Sequence, residues 1–165
     1  EADRTNIFLA AALGASVLGS LAFNFPPARV FMGDCGSGMI GMSIAALCVK
    51  SAIQNPQFII PLLLLQSIFL SDSLITLLRR LVRGEPIYKA HNLHGYQHAI
   101  RLYDGSHLLV SGGLFLIGLF WLMPWSIAIG SNYLPVWTFI PAVFPIVWLC
   151  LRYGSGRPKE LDIAE

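Results

Sequence analysis

Residues 106–125 read SHLLVSGGLFLIGLFWLMPW, a run that contains no Asp, Glu, Lys or Arg. A helix needs about 20 predominantly apolar residues to cross the ~30 Å hydrocarbon core of a bilayer. Further stretches of similar character predict membrane-spanning helices at 5–22, 36–53, 57–78 and 133–151. The sequence therefore predicts an all-α, polytopic transmembrane bundle of about five spans, which forms a single membrane domain over residues 1–165.

The composition indicates that the bilayer is the solvent for much of this chain. Hydrophobic residues make up 55% of the sequence and charged residues 12%, whereas soluble domains carry about 25% charged residues. A soluble domain of this size exposes too much surface to hide so many apolar side chains. The net charge of +2 gives no basis for nucleic-acid binding.

Basic residues are distributed unevenly between the two predicted sides of the membrane. Alternating crossings place nine of the 11 Lys and Arg residues on one side, and leave Arg4 and Lys50 on the other. The positive-inside rule makes the nine-residue side cytoplasmic, with the N-terminus outside and the C-terminus inside. The cytoplasmic loops, 23–35 and 79–105, hold nearly all residues capable of chemistry, so a site on that face is expected.

The first cytoplasmic loop reads NFPPARVFMGDCGSG over residues 24–38. Its glycines permit backbone paths closed to other residues, and Ser37 can cap the next helix, whose amides attract phosphate. Asp34 is poorly placed among these groups unless it holds a cation such as Mg²⁺. A glycine-rich turn with a solvated Asp34 explains the pattern equally well.

The second cytoplasmic loop contains HNLHGYQHAIR over residues 91–101. Spacings of three and four place His91, His94 and His98 within one arc of about 60° on a helix. Such a row suits metal binding or hydrogen bonding to a diphosphate. The alternative is a polar interfacial helix whose histidines face water.

Asp72 lies within the third predicted span, about ten residues before this loop. Intramembrane carboxylates are costly and are usually functional or paired with a base. A functional role and a salt bridge to an arginine of the same bundle are equally good explanations. The tail from Arg152 onward is predicted to be a solvated, charged end.

The two loop motifs resemble those of the polyprenyl-phosphate N-acetylhexosamine-1-phosphate transferases, which include the muramoyl-pentapeptide phosphotransferase of peptidoglycan synthesis. The resemblance rests on PPARVFMGDCGS at 26–37 and AHNLHGYQH at 90–98, and covers roughly residues 5–153. The His motif is most similar to that of the branch that initiates O-antigen and other surface polysaccharides.

This resemblance implies that a sugar-1-phosphate, of N-acetylhexosamine type, is transferred from a UDP-sugar to undecaprenyl phosphate. UMP is released, Mg²⁺ is required, and the reaction takes place at the cytoplasmic face of the bacterial inner membrane. Asp34 then corresponds to the family's Mg²⁺ ligand, and His91, His94 and His98 to its catalytic His motif. Substrate-binding roles are expected for Asn24, Gly36, Ser37, Lys89 and Arg101, of which the last two rest on charge alone. Membrane lipid is a further partner, and a homodimer is left open.

The sequence departs from the family pattern at two points. Gly95 interrupts the His motif where a continuous helix would be preferred, at a cost of roughly 1 kcal/mol. The family's paired aspartates do not occur in this sequence and are expected upstream of Glu1. The chain is therefore predicted to be the C-terminal part of a longer enzyme and to hold only part of its active site.

The main alternative function is a non-catalytic membrane module, such as a transporter half or a lipid-binding scaffold. A transporter would place its polar residues near the bilayer midplane, whereas those of this chain are concentrated in the cytoplasmic loops. A membrane metal-binding protein would explain the histidines and leave the first loop without a purpose.

Overall fold

A computed structural model describes residues 2–25, 27–86, 88 and 93–158 of the chain. Within these residues the secondary structure is helical and contains no strand, which confirms the all-α prediction. The α-helices are α1 (Ala2–Asn24), α2 (Gly33–Gln54), α3 (Ile59–Leu65), α4 (Ser67–Val82), α5 (Gly95–Leu102), α6 (His107–Ile117), α7 (Met123–Gly130) and α8 (Phe139–Arg152). The chain divides into two compact units, Glu1–Ile59 and Ile60–Glu165.

The first unit consists chiefly of α1 and α2, which cover the predicted spans 5–22 and 36–53. The Asn6 amide donates a hydrogen bond to Gln54 Oε1 at 2.8 Å, so the start of α1 lies beside the end of α2. Both helices are long and apolar enough to cross a membrane, and none of the residues of α2 is buried. Helices with apolar side chains exposed on all sides are suited to contact with lipid.

The predicted span 57–78, most of which lies in the second unit, is a bent pair of helices. Pro56–Leu65 and Ser67–Val82 are inclined by 73° at the break. The Gln66 N–H donates to the Leu63 carbonyl at 3.1 Å, a bond between residues three apart that tightens the chain and ends α3. The pair is either one broken span or a re-entrant loop.

The last two predicted spans are helical as well. His107–Gly130 runs through α6, a π-helical turn at Gly118–Leu122 and α7, and is long enough to cross the bilayer. Val136–Arg152, which covers most of the predicted span 133–151, is a shorter apolar helix. Three described helices meet the requirements of a membrane span, and the bent pair would be a fourth. The chain is thus a multi-pass membrane protein, and the orientation of its termini stays a prediction.

The core of the second unit joins α3, α7 and α8. Its buried side chains are Leu64, Leu122, Ile129, Ala142 and Ile146. Polar side chains reinforce it, because Ser126 Oγ donates to the Pro61 carbonyl and Trp121 Nε1 to the Ala142 carbonyl, both at 2.9 Å. Helices α4 and α8 pack along each other. The residues that follow α8 therefore reach the polar face of α4.

Candidate functional site

The first loop, in the first unit, folds back on the end of α1. The backbone N–H groups of Arg29 and Val30 both donate to the Phe23 carbonyl, at 2.8 and 3.2 Å. Asn24 is the last residue of α1. This reversal brings the chain directly to the start of α2.

Helix α2 begins three residues earlier than predicted, at Gly33, which has a φ of +66°. The exposed Asp34 therefore belongs to the first helical turn and not to the loop. The predicted cap is wrong, because Ser37 lies inside the helix and its hydroxyl donates to the Asp34 carbonyl at 3.2 Å. Gly36 also lies at the start of α2, where the first backbone N–H groups of a helix have no partner within the helix.

The start of α2 combines a carboxylate with helix amides, and such groups can hold a metal ion and a phosphate. Among the residues that the structure describes, no three His, Cys, Asp or Glu side chains are grouped to hold a metal. Mg²⁺ is usually held by one or two carboxylates together with substrate phosphates and water. Asp34 fits one such carboxylate ligand, and the amides at the start of α2 suit an anionic phosphate.

The second loop, in the second unit, begins with a cluster of ion pairs at the end of α4. Arg80 is only 3% exposed; its Nε lies 3.0 Å from Glu85 Oε2 and its Nη2 donates to the Pro86 carbonyl at 2.7 Å. Arg83 Nε lies 2.6 Å from the other oxygen of Glu85. Hydrogen bonds from Arg83 and Arg80 lower the pKa of the Glu85 carboxyl. These arginines thus fix the loop onto α4.

The predicted histidine row differs from the observed geometry. Helix α5 begins at Gly95, and His94 precedes it in an extended conformation with φ −70° and ψ 145°. The single helical face predicted for the row is therefore wrong for His94, while His91 and Lys89 lie outside the described residues. His98 is in α5 and is 2% exposed, so it does not face water. Arg101 is exposed in the last turn of α5.

Asp72 connects α4 to the start of α5. Its Oδ1 accepts a hydrogen bond from the Gly95 N–H at 2.7 Å, and its Oδ2 lies 3.5 Å from His94 Nδ1. The side chain that faces this carboxylate is thus a histidine of the motif, and not the arginine of the predicted salt bridge. The His94 N–H in turn donates to Gln97 Oε1 at 3.3 Å.

The residues after α8 complete the cluster, and the prediction of a solvated tail is wrong for Gly154, Ser155 and Gly156, which are buried. The Gly156 N–H donates to the Leu93 carbonyl at 2.6 Å, and the Ser155 carbonyl accepts a 2.5 Å hydrogen bond from Arg79 Nη1. The sequence carried a signal for this turn, since a Gly-Ser-Gly segment directly after an apolar helix suits a tight turn.

Gly95 is required by this packing. A methyl group on its Cα would overlap Ser155 Oγ and lie 3.2 Å from Asp72 Oδ1. The expected cost of a glycine inside a helix does not apply, because Gly95 is the first residue of α5 and lies where no side chain fits.

A cavity of about 290 Å³ opens beside the cluster, between α4, α5, α6 and α8. Its walls are mostly apolar and include Asp72 and Gly95. The hydroxyls of Tyr103 and Tyr153, which also line it, lie 3.1 Å apart. The hydrogen bond to Tyr103, together with burial, raises the pKa of Tyr153.

Comparison with known proteins relates this sequence to a family of enzymes. The model of glycosyl transferase family 4 matches residues 2–52, which include the first loop. The probable undecaprenyl-phosphate N-acetylglucosaminyl 1-phosphate transferase of Bacillus subtilis is 32% identical over 107 residues, which are 63% of this chain and 29% of that protein. The phospho-N-acetylmuramoyl-pentapeptide-transferase of Halalkalibacterium halodurans is 38% identical over 134 residues, 79% of this chain and 37% of that protein. No solved structure matches the chain. The chain spans about a third of the length of these curated relatives.

Proposed function

We propose that this chain, which belongs to glycosyl transferase family 4, is part of an enzyme that moves a sugar-1-phosphate from a UDP-sugar to undecaprenyl phosphate. The match over residues 2–52, with Asp34 in the first turn of α2, carries the proposal. The relatives named above act on N-acetylglucosaminyl and N-acetylmuramoyl groups, which supports an N-acetylhexosamine as the sugar. The reaction takes place at the cytoplasmic face of a bacterial inner membrane.

The proposed reaction is a phosphoryl transfer in which one bond to phosphorus forms and another breaks. An oxygen of the lipid phosphate attacks the β-phosphorus of the UDP-sugar, and the bond from that phosphorus to the bridging oxygen breaks. UMP departs with the electron pair. Such reactions depend mainly on positioning and on neutralising the charge of the phosphates.

Asp34 is proposed as the side chain that holds Mg²⁺, which would supply charge neutralisation at the diphosphate. The amides at the start of α2, with Gly36 and Ser37, are proposed to bind a phosphate oxygen. One carboxylate is a minimal ligand set, so we propose that residues outside this chain complete the site.

The histidine motif is proposed to bind the diphosphate or the nucleotide. His94, which lies beside Asp72 at the start of α5, is proposed to take part in this binding as a polar side chain of the motif. Arg101, exposed at the end of α5, adds positive charge. The same proposed site includes His91, His98 and Lys89.

The test is to express the whole gene that contains this chain and to purify the protein in detergent. The release of UMP from UDP-N-acetylhexosamines is then measured. Asp34→Asn keeps the shape of the side chain and removes its charge, so turnover should fall by about 100-fold or more at limiting Mg²⁺. The matched control is Asp104→Asn, the same change at an exposed residue with a φ of +51°, a conformation that Asn tolerates. It should leave turnover unchanged.

Each part of the proposal can fail separately in this assay. Absence of UMP release from every UDP-N-acetylhexosamine, with the protein folded and undecaprenyl phosphate present, contradicts the function. Turnover of Asp34→Asn close to that of the wild type contradicts the metal role alone. UMP release by the 165 residues alone contradicts the proposal that the site is shared.

A further inference from the structure

The start of α5 is fixed from two directions by groups that are distant in sequence. From α4, Asp72 bonds the Gly95 N–H and faces His94 Nδ1. From the end of α8, Gly156 donates to the carbonyl of Leu93, the residue before His94. His94 is therefore enclosed on both sides by backbone that is tied down.

We propose that Asp72 and the turn 153–156 form a positioning device that sets His94 and the start of α5 for the transfer reaction. The inference rests on the proposed function, because it assigns His94 a substrate to face. In this proposal, residues that touch no substrate determine the geometry of the histidine motif.

Burial and charge explain why Asp72 fits this role. The residue is 8% exposed, and a buried carboxylate is costly unless its oxygens have partners. Both oxygens find their partners in His94 and Gly95, at the boundary between the loop and α5. A hydrogen bond from a backbone N–H to an ionised oxygen is about twice as strong as a neutral one, so a shift of the loop would forfeit it.

The contact between Asp72 and His94 also orients the imidazole ring. A carboxylate facing one nitrogen of a histidine fixes the orientation of the ring. A displacement of about 1 Å in such a group can lower a rate by about 100-fold.

The turn after α8 lies against the start of α5 through Ser155. Its hydroxyl occupies the space into which a methyl group on Gly95 would project. Removal of that hydroxyl should relieve the overlap, since the Ser155 Cβ is 3.5 Å from the same position, an ordinary contact. The contact that remains, 3.2 Å from Asp72 Oδ1, requires only a small shift of that side chain. The structure therefore predicts a specific suppressor.

The first experiment compares Gly95→Ala with the double variant Gly95→Ala/Ser155→Ala, in the whole expressed protein. Gly95→Ala should lower kcat by about 10-fold to 100-fold, and the second substitution should recover most of that loss. Gly112→Ala is the matched control, because it adds the same methyl within α6 where no atom lies within 4 Å. Its kcat should equal that of the wild type. A double variant that is as stable as the wild type but no more active than Gly95→Ala overturns the proposal.

The second experiment separates positioning from a merely structural role. Asp72→Asn retains an oxygen acceptor for the Gly95 N–H and loses the charge beside His94. The ring ¹⁵N resonances of His94, assigned with His94→Gln, should shift, because the carboxylate charge beside Nδ1 is lost. The kcat should fall by about 10-fold or more while the KM for UDP-sugar changes little. An unchanged His94 spectrum overturns the proposal whether or not the protein has transferase activity, so failure of the proposed function is seen separately as missing UMP release.

Discussion

Substitution of Gly156 tests the packing of the turn after α8 against α4. Gly156 has a φ of +77°, and a Cβ atom there would lie 2.9 Å from the backbone Cα of Thr76 and 3.2 Å from Arg79 Cβ. Gly105 has nearly the same φ, +78°, with no atom within 4 Å of the corresponding position. The pair Gly156→Ala and Gly105→Ala therefore shares one backbone penalty and differs in the steric clash.

The two costs can be worked separately. An alanine in the left-handed region costs about 1–2 kcal/mol in either variant. At Gly156 the new methyl must also move from 2.9 Å to about 3.6 Å from a carbon atom, the separation at which carbon–carbon contact is favourable. Because the obstacle is the backbone of α4, this displacement should add about 1–3 kcal/mol. Gly156→Ala should thus unfold about 2–12 °C below Gly105→Ala, at about 2–4 °C for each kcal/mol, the scale of a protein of this length.

Thermal unfolding in detergent can be followed with a thiol-reactive fluorophore. Cys48 and Cys150 are partly buried and react as the protein opens, whereas the exposed Cys35 reacts at once and sets the baseline. Equal melting temperatures for the two variants would refute the close approach of Gly156 to α4. A loss in Gly105→Ala greater than in Gly156→Ala would refute the calculation of the two costs.

Glu85 and Cys35 provide two further tests. Glu85 has a lowered pKa in the folded chain, so its ion pairs contribute stability at pH values above its ordinary pKa of 4.5. This stability is lost as the pH falls below that value. The melting temperature should therefore drop across that range, and less so in Glu85→Gln. Cys35, in a variant with Cys48→Ala and Cys150→Ala, should react with a membrane-impermeant thiol reagent only from the cytoplasmic side; efficient labelling from outside in intact cells would invert the predicted orientation.

The helices were predictable because each follows from a long, local run of apolar residues. The break at Gln66 was not, since a single polar residue between Leu65 and Ser67 is compatible with a continuous helix, and only the fold shows that α3 ends there. The start of α2 at Gly33 was misjudged for a related reason. A segment with three glycines predicts a loop, whereas the first of them, Gly33, begins the helix.

The two functional loops were identified from their motifs, but their geometry depended on contacts distant in sequence. Nothing in the spacing of the histidines indicates that Asp72, 23 residues before Gly95, fixes the start of α5. The same holds for Ser155, 60 residues later, whose hydroxyl explains the glycine that was predicted to be a defect. Spacing along a helix gives the correct side-chain arrangement only where the helix is already known to extend.

The bond from Gly156 to Leu93 has a consequence for the order of synthesis. A ribosome makes Leu93 and the histidine segment well before α8, at about 5–20 residues per second. The acceptor carbonyl thus waits for some 60 further residues before its donor exists. The arrangement around His94 cannot form on a nascent chain that has stalled within α8. The histidine segment therefore reaches its arrangement only after α8 has been synthesised, and a translation product interrupted before Gly156 is left without it.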